Sequence, residues 1–198
     1  MMGLPLRDHQ HHTYGEYLTW PDDVRYELID GQAVMMAPAP NLDHQDIAGE
    51  LFYQIRQQLE GKPCRSFIAP VDVRLPRGDE ANENIDTVVQ PDVIIVCDPG
   101  KLDRRGVRGA PDWVAEVLSP STAAHDQAVK RRIYERAGIP EYWLVHPNDR
   151  TLTIYTLQDG AYGKPDIFEL KESTRLQTMP ELEIAWDALV ERLPKQEF

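Results

Sequence analysis

The sequence lacks the features that membrane insertion, secretion and a disulfide framework require. No apolar run in its 198 residues approaches the length of a membrane span, and the N-terminus has no apolar signal-peptide segment. Cysteine occurs only as Cys64 and Cys97, both in apolar, strand-like surroundings. Such surroundings favour buried reduced thiols over a disulfide or a metal cluster. We therefore expect a cytoplasmic protein without a membrane segment.

Positive charge is also scarce, because 33 acidic residues outnumber 21 basic ones and give a net charge of −12. This balance argues against avid non-specific binding of nucleic acid, which needs a basic surface. It does not exclude a nuclease, since metal ions neutralise part of an active site and a basic patch can be local. Basic clusters occur at 101–108 and 130–132, and the first is interpreted as a solvated face.

Length and composition predict one domain. With 41% hydrophobic residues the chain has enough apolar material for a core, and 198 residues suit a single domain. Residues 1–12 are predicted to be a disordered tail and residues 13–198 the domain. The predicted element order is α, ββ, α, β, β, β, α, β, β, β, α, which indicates an α/β fold with a mixed β-sheet core flanked by helices.

Local patterns place the main elements. Asp30-Gly31 predicts the turn of an antiparallel hairpin over 25–36, because both central positions of such a turn need positive φ. An apolar stripe at helical spacing predicts a helix over 43–60. The glycine-rich link at 98–111 is predicted to be a mobile loop, and a second helix is predicted over 123–137.

Two short apolar segments each carry a carboxylate that a buried strand should avoid. They are 91–96, with Asp92, and 112–118, with Glu116, and both are predicted to be strands buried on both faces. A buried carboxylate has to be paired or bound to metal, because its desolvation alone costs several kcal/mol. Two acids brought together by neighbouring strands would bind a hard divalent cation. The alternative is that both acids cap loops or pair with arginines.

The predicted helix over 123–137 places a lysine on its apolar face. Asp126 and Lys130 lie one turn apart on the same face as Val129 and Ile133. Lysine is rarely buried unless it is paired, so this ammonium could reach the carboxylates of the preceding strands. The alternative is a simple Asp126–Lys130 helix pair whose lysine stem lies over the core.

Three signatures make the chain resemble a known family. They are YELIDG at 26–31, QPDV at 90–93, and a long third signature that combines EVLSPST at 116–122, Asp126, Lys130, Tyr134 and AGIPEYW at 137–143. Over residues 13–193 the chain resembles the Uma-two family of proposed endonucleases, which belongs to the PD-(D/E)XK restriction-endonuclease-like superfamily. The resemblance implies a restriction-endonuclease-like mixed β-sheet core flanked by helices, with an added antiparallel hairpin.

The resemblance also implies a site and its chemistry. The superfamily pattern is an Asp on one strand and Glu-x-Lys on the next, and Asp92 and Glu116 match its acids. Leu118 stands where the lysine would be, and the resemblance implies that this lysine has moved to Lys130. Asp92, Glu116 and the main-chain carbonyl of Val117 would hold Mg²⁺ or Mn²⁺ for hydrolysis of DNA phosphodiester bonds. Lys130 would orient the attacking water or neutralise the phosphate.

Three further carboxylates and one imidazole are candidates for additional roles at the site. Glu27 is either a further catalytic carboxylate or the partner of an arginine on a neighbouring strand. His44 begins an otherwise apolar helix face and either points into the cleft or is a satisfied core or capping residue. Asp72 either joins the metal site or lies on a solvated face with Arg74, and Asp126 would assist from the lysine helix.

Three functions remain open on the sequence alone. The first is a metal-dependent endodeoxyribonuclease. The second is a non-catalytic interaction protein that keeps the nuclease fold, which the acidic surface and the missing strand lysine favour. The third is a hydrolase of a small phosphate or nucleotide, although no glycine-rich phosphate loop is present. Restriction-like folds often cut two strands as dimers, so a homodimer is expected, with the apolar strands near 142–157 as its interface.

Overall fold

Two large β-sheets and a set of short helices make up the computed structural model, which describes residues 10–21, 25–36, 41–120 and 123–193. The helices are α1 (Tyr14–Tyr17), α2 (Leu42–Gln58), α3 (Ala123–His125), α4 (Arg131–Ala137) and α5 (Asp187–Arg192). The strands are β1 (Tyr26–Ile29), β2 (Gln32–Met35), β3 (Arg65–Ile68), β4 (Val73–Arg74), β5 (Val88–Val89), β6 (Val93–Val96), β7 (Leu102–Asp103), β8 (Gly106–Arg108), β9 (Trp113–Val117), β10 (Glu141–His146), β11 (Thr151–Gln158), β12 (Ala161–Tyr162), β13 (Asp166–Glu169), β14 (Ser173–Arg175) and β15 (Glu183–Ala185).

The strands pair in two extended sheets and one small one. The six-stranded sheet has the order β2-β1-β5-β4-β8-β7, and the seven-stranded sheet has the order β12-β11-β10-β9-β6-β3, with β13 also paired to β11. Strand β9 is parallel to β10 and antiparallel to β6, while β14 and β15 form a separate pair. The predicted mixed α/β architecture is therefore confirmed.

The two faces of the seven-stranded sheet bury different layers. Odd-numbered residues of β6 and β9, such as Val93 and Trp113, pack with α2 and α5 in one core cluster. Even-numbered residues, such as Ile94 and Val114, pack with α4 and the six-stranded sheet in a second cluster. Side chains alternate along a strand, so Glu116 falls in this second layer, between the two sheets.

Several predicted boundaries change because prolines and long-range pairing decide them. Alternation over 67–75 and the apolar character of 88–97 predict one strand in each segment. Both segments are divided in the structure, at Pro70 and at Pro91, since proline cannot donate to a strand ladder. The predicted loop at 98–111 contains the β7–β8 hairpin, whose strand β8 pairs with β4. This pairing is with a distant segment, so the local composition of 98–111 does not predict it.

The hairpin predicted over 25–36 is confirmed as β1 and β2, with positive φ at both Asp30 and Gly31. Part of the predicted tail packs beside its turn. The main-chain N–H of His12 donates to the carbonyl of Gly31 at 2.7 Å. Residues 1–9 of that predicted tail lie outside the described residues.

The two cysteines form a disulfide, so the prediction of reduced thiols was wrong. Strands β3 and β6 are antiparallel, with Arg65 opposite Val96. One further step along this register brings Cys64 opposite Cys97. They are 33 residues apart in sequence, and only the strand pairing brings them together.

Two predictions about partners concern the surface of this fold. Strands β10 and β11 lie inside the seven-stranded sheet, with β12 and β13 covering the outer side of β11. The predicted dimer surface near 142–157 is therefore occupied within the chain itself, and a homodimer stays a prediction. In the described ranges, no helix combines the length and the apolar character needed to cross a bilayer.

Candidate active site

Asp92 is held in one orientation at the start of β6. Its Oδ2 accepts a hydrogen bond from the main-chain N–H of Val117 at 2.8 Å and lies 3.0 Å from Nε2 of His44. His44 is itself fixed at the start of α2, where Asn41 Oδ1 accepts from its N–H at 3.0 Å. The Asp92 side chain is 18% exposed, and its Oδ1 accepts no hydrogen bond from the described residues. One oxygen is thus anchored and the other remains available to a ligand.

The strand register brings the two predicted acids together. Continued by one residue beyond β6, the antiparallel pairing of β6 with β9 places Asp92 opposite Glu116. Continued by two residues, it places Pro91 opposite Val117. Proline has no N–H, so the ladder offers no donor to the Val117 carbonyl at this point. Two carboxylates and a main-chain carbonyl therefore lie at the same strand ends.

Lys130 lies inside a cluster of carboxylates. Its Nζ is 2.9 Å from Glu116 Oε1, 3.0 Å from Glu27 Oε1 and 3.6 Å from Asp126 Oδ1. All four side chains are buried. Of the three contacts of Lys130, the one with Asp126 in its own helix is the longest. The ammonium also reaches the strand carboxylate of Glu116, as the first of the two alternatives predicted. Glu27 comes from β1 in the other sheet and pairs with this lysine rather than with an arginine.

The segment that carries Lys130 is a single π turn, Asp126–Lys130, between α3 and α4. The N–H of Arg131 donates to the Asp126 carbonyl, as a π turn requires, and Tyr142 Oη donates to the same carbonyl at 3.2 Å. Isolated π turns inside α-helices occur often at functional sites. The turn carries both Asp126 and Lys130 in the cluster.

The sequence analysis gave two residues of this cluster no function at the site, although Tyr134 belongs to the third signature. Tyr134 Oη donates to Glu116 Oε1 at 2.6 Å, and His125 Nε2 lies 3.4 Å from Glu27 Oε2. Tyr134 follows Lys130 by one helical turn, which was a usable signal. His125 offered none, because its partner belongs to a different sheet.

The negative charge around Glu116 exceeds the positive charge. Burial raises the pKa of Glu116 well above its ordinary value, and the charges of Asp126, Asp92 and Glu27 add to this effect against the opposing effect of Lys130. Burial would lower the pKa of Lys130, but the surrounding carboxylates raise it well above its usual range, so the ammonium stays charged. The carboxyl of Glu116 therefore needs a proton or a further cation.

Glu27 shares the same lysine and behaves in the opposite way. Burial raises its pKa, but Lys130, His125 and the Gln90 N–H together outweigh burial and bring the pKa down to about 2. The Gln90 N–H donates to Glu27 Oε1 at 2.8 Å. Glu27 therefore remains ionised beside a Glu116 that retains its proton more readily.

Asp72 takes neither of its two predicted positions. Its Oδ1 accepts from Tyr17 Oη at 3.1 Å and from Gln90 Nε2 at 2.9 Å. Arg74, which was expected on the same solvated face, is buried and pairs with Asp103 at 2.8 Å. Asp72 therefore belongs to a separate network, which Gln90 connects to the cluster around Lys130.

The site fits a hard divalent cation in charge and in donor chemistry. In the part of the chain that the structure describes, no group of three or more His, Cys, Asp or Glu side chains is arranged to hold a metal ion. Mg²⁺ needs fewer, because it commonly takes one or two carboxylates and keeps several waters. Asp92, Glu116 and the Val117 carbonyl supply oxygen donors only, and the excess negative charge at Glu116 favours a cation.

Comparisons with known proteins bear on the family and the fold of the chain. Residues 14–187 match the family model of Uma2, described as "Putative restriction endonuclease". A solved structure from Anabaena variabilis, described as "a putative nuclease belonging to DUF820", superposes with a TM-score of 0.72 at 21% identity and covers 92% of this chain and 99% of that one. The uncharacterized protein slr1290 of Synechocystis is 29% identical over 167 residues, which is 79% of this chain and 83% of that protein. The predicted restriction-endonuclease-like fold is thus confirmed.

Proposed function

Since this chain belongs to the Uma2 family, we propose that it is a metal-dependent endonuclease that hydrolyses phosphodiester bonds in DNA. The observation that supports this most strongly is the meeting of a strand carboxylate with a helix ammonium. Lys130 Nζ lies 2.9 Å from Glu116 Oε1, at the strand ends where Asp92 is also held. This arrangement replaces the Glu-x-Lys of the superfamily pattern, in which one strand carries both residues.

Asp92, Glu116 and the Val117 carbonyl would hold Mg²⁺ or Mn²⁺. The bound ion would lower the pKa of a water nucleophile and stabilise charge on the scissile phosphate. The protein holds its own ligands in place beforehand. The N–H of Val117 and the ring of His44 fix one oxygen of Asp92, and Tyr134 fixes one oxygen of Glu116. Fixed groups of this kind need no reorganisation when charge develops.

Lys130 would supply the permanent positive charge of the site. Its ammonium remains charged because carboxylates surround it, so it can orient the water or neutralise the phosphate. Glu27 would act as a positioning residue, since it contacts the lysine at 3.0 Å from the neighbouring sheet. Asp126 would support the same ammonium from within the π turn.

Purified protein incubated with Mn²⁺ and several DNA substrates tests the proposal. We expect cleavage that requires the metal and that falls at least about 100-fold in Asp92→Asn, Glu116→Gln and Lys130→Met. Asp46→Asn is a matched control, because Asp46 is exposed on α2, two residues from His44. DNA that stays intact with every substrate, or an Asp92→Asn variant that cuts at the wild-type rate, would contradict the proposal.

A second candidate is an inactive interaction protein that retains the nuclease fold. The net charge of −12 favours it, because long duplexes bind basic surfaces. The same net charge favours a hydrolase of small nucleotides that uses the same metal site. Mn²⁺-dependent release of phosphate or nucleoside from mononucleotides, with intact DNA, would select the small-substrate hydrolase. Absence of every hydrolytic activity would select the interaction protein.

A further inference from the structure

A cleft of about 420 Å³ is lined in part by Gln90, whose main-chain N–H donates to Glu27 of the candidate active site. Asp72 and the buried Gln90 line its inner part, and the exposed Arg104 and Arg105 line its mouth. We refer to it as the Asp72 cleft. Its size lies within the range of small-molecule sites, which runs from about 300 to 1,000 Å³.

Asp72 presents a fixed acceptor to this cleft. Tyr17 and Gln90 both donate to its Oδ1, and the Gln90 amide is fixed in turn because Arg25 donates to its Oε1. The second oxygen, Oδ2, accepts from no donor in the described ranges and is not sealed from solvent. Burial raises the pKa of this carboxyl above its ordinary value, whereas the bonds from Gln90 and Tyr17 oppose that shift. The cleft therefore holds one oriented carboxylate oxygen without a partner in the described chain.

The turn of the β7–β8 hairpin forms the mouth of the cleft, and several contacts fix its position. Asp103 accepts from the Arg105 N–H at 2.7 Å and pairs with the buried Arg74 at 2.8 Å. Gly106 has φ of 115°, and a Cβ at this position would lie 2.3 Å from the Asp72 carbonyl, so the hairpin touches the wall of the cleft. The exposed Arg104 and Arg105 belong to this anchored turn and line the opening, where Arg105 Nη1 lies 4.0 Å from Glu83 Oε1. Guanidinium groups bind phosphate through paired hydrogen bonds.

The cleft is close to the proposed reaction. Gln90 contributes its side chain to the Asp72 network and its main-chain N–H to Glu27. Along the chain, Gln90 lies two residues before Asp92, a separation of at most about 7 Å. An occupant of the cleft would therefore touch Gln90, which also bonds Glu27 and lies two positions before Asp92.

We propose that the Asp72 cleft binds one unpaired nucleotide of the substrate strand and prefers a base with an exocyclic amino group. The amino group of cytosine or adenine would donate to Asp72 Oδ2, and Arg104 and Arg105 would hold the adjoining phosphate. Carboxylates accept from the cytosine amino group, whereas thymine presents a carbonyl oxygen there and leaves the carboxylate unpaired. That this nucleotide belongs to a strand being cut rests on the proposed nuclease function.

Titration of the full chain with dCMP and dTMP, in EDTA, tests the cleft without any cleavage. We expect dCMP to bind about tenfold or more tightly than dTMP, as read from heteronuclear NMR shifts. Asp72→Asn keeps the acceptor for Tyr17 and Gln90 and turns Oδ2 into an amide donor. This variant should therefore reverse the preference toward dTMP. Equal affinities for the two nucleotides in the wild type, or an unchanged preference in Asp72→Asn, would overturn the proposal.

The arginines and the phosphate need their own controls. Arg104→Ala with Arg105→Ala should weaken both nucleotides alike and keep their ratio, whereas Arg132→Ala, an exposed arginine on α4, should change neither. If inorganic phosphate binds as tightly as dCMP, the cleft does not recognise the base, and the proposal is overturned.

The failures of the two proposals can be told apart. Protein that cleaves DNA but does not distinguish dCMP from dTMP overturns the cleft proposal alone. Protein that distinguishes them but never cleaves DNA overturns the nuclease proposal and leaves the cleft as a nucleotide-binding site.

Discussion

Asp92 and Glu116 lie side by side on neighbouring strands, yet their negative charges are balanced in different ways. Asp92 is partly exposed and is held by a main-chain N–H and an imidazole, with one oxygen available. Glu116 is buried and shares one ammonium with Glu27 and Asp126. The protein thus offsets part of the negative charge of the Glu116 half from within, by one ammonium among three carboxylates, and leaves the Asp92 half open to solvent. The first half should govern stability, and the second should govern metal binding.

Removal of the shared ammonium should have the largest effect on stability. Lys130→Met leaves buried carboxylates without their cation, and breaking a buried ion pair from one side costs about 3–5 kcal/mol. Urea unfolding should show this loss as a lower midpoint at an unchanged m-value. Lys62→Met is the control, because Lys62 is exposed and should change the free energy of unfolding by less than about 0.5 kcal/mol. Equal stabilities of the two variants would contradict an internal charge balance.

Removal of the hydroxyl that bonds Glu116 should have a smaller effect. Tyr134→Phe deletes the 2.6 Å hydrogen bond to Glu116 Oε1 and leaves the ring packing in place. Loss of one partner of a buried hydrogen bond costs about 1–3 kcal/mol, which thermal or urea unfolding measures. Tyr53→Phe is the matched control, because that residue is 55% exposed and its hydroxyl accepts a hydrogen bond from the Gln57 amide at the surface. A Tyr134→Phe variant as stable as Tyr53→Phe would show that Glu116 does not need this donor.

The two carboxyls that share Lys130 should respond to pH with opposite signs. The pKa of Glu27 is about 2 in the folded protein against an ordinary 4.5, so its contribution is present above pH 4.5 and is lost as pH falls toward 2. The pKa of Glu116 is raised, so its contribution is present at low pH and is lost as pH rises through its folded pKa. Unfolding free energies measured against pH should therefore show wild type and Glu27→Gln converging between pH 4.5 and 2. Parallel curves over that window would contradict the ionised state of Glu27.

The smallest effect on stability is expected at the exposed half of the site. Asp92→Asn keeps an acceptor for the Val117 N–H and removes a charge that is partly in solvent. Its free energy of unfolding should stay within about 1 kcal/mol of wild type. Calorimetry or urea unfolding checks this, and a loss as large as that of Lys130→Met would remove the distinction between the two halves.

The site residues that depend on local sequence pattern could be predicted from the sequence. A carboxylate inside each of two apolar segments pointed to Asp92 and Glu116, and helical spacing put Lys130 on an inward face. These residues can be recognised in the sequence because a charged side chain within an apolar segment is unusual unless it is paired or bound to a ligand. The structure brings all three to one place, while their catalytic roles stay predictions.

The contacts that could not be predicted from the sequence depend on pairing between distant segments. The contact of Glu27 and His125 with the lysine cluster needs both sheets to meet, and no local pattern records that meeting. The disulfide between Cys64 and Cys97 needs the register of β3 against β6. The β7–β8 hairpin needs β4 as its neighbour, and for this reason a glycine-rich segment predicted as a loop contains two short strands.

Titration of the full chain with Mn²⁺, followed by calorimetry and by the electron paramagnetic resonance signal of the free ion, tests the central claim most directly. We expect binding at millimolar affinity or tighter in wild type and in Asp46→Asn, and loss of that binding in an Asp92→Asn variant that remains folded. Wild-type protein that leaves the ion free, or an Asp92→Asn variant that binds it equally well, would contradict a metal site between Asp92 and Glu116.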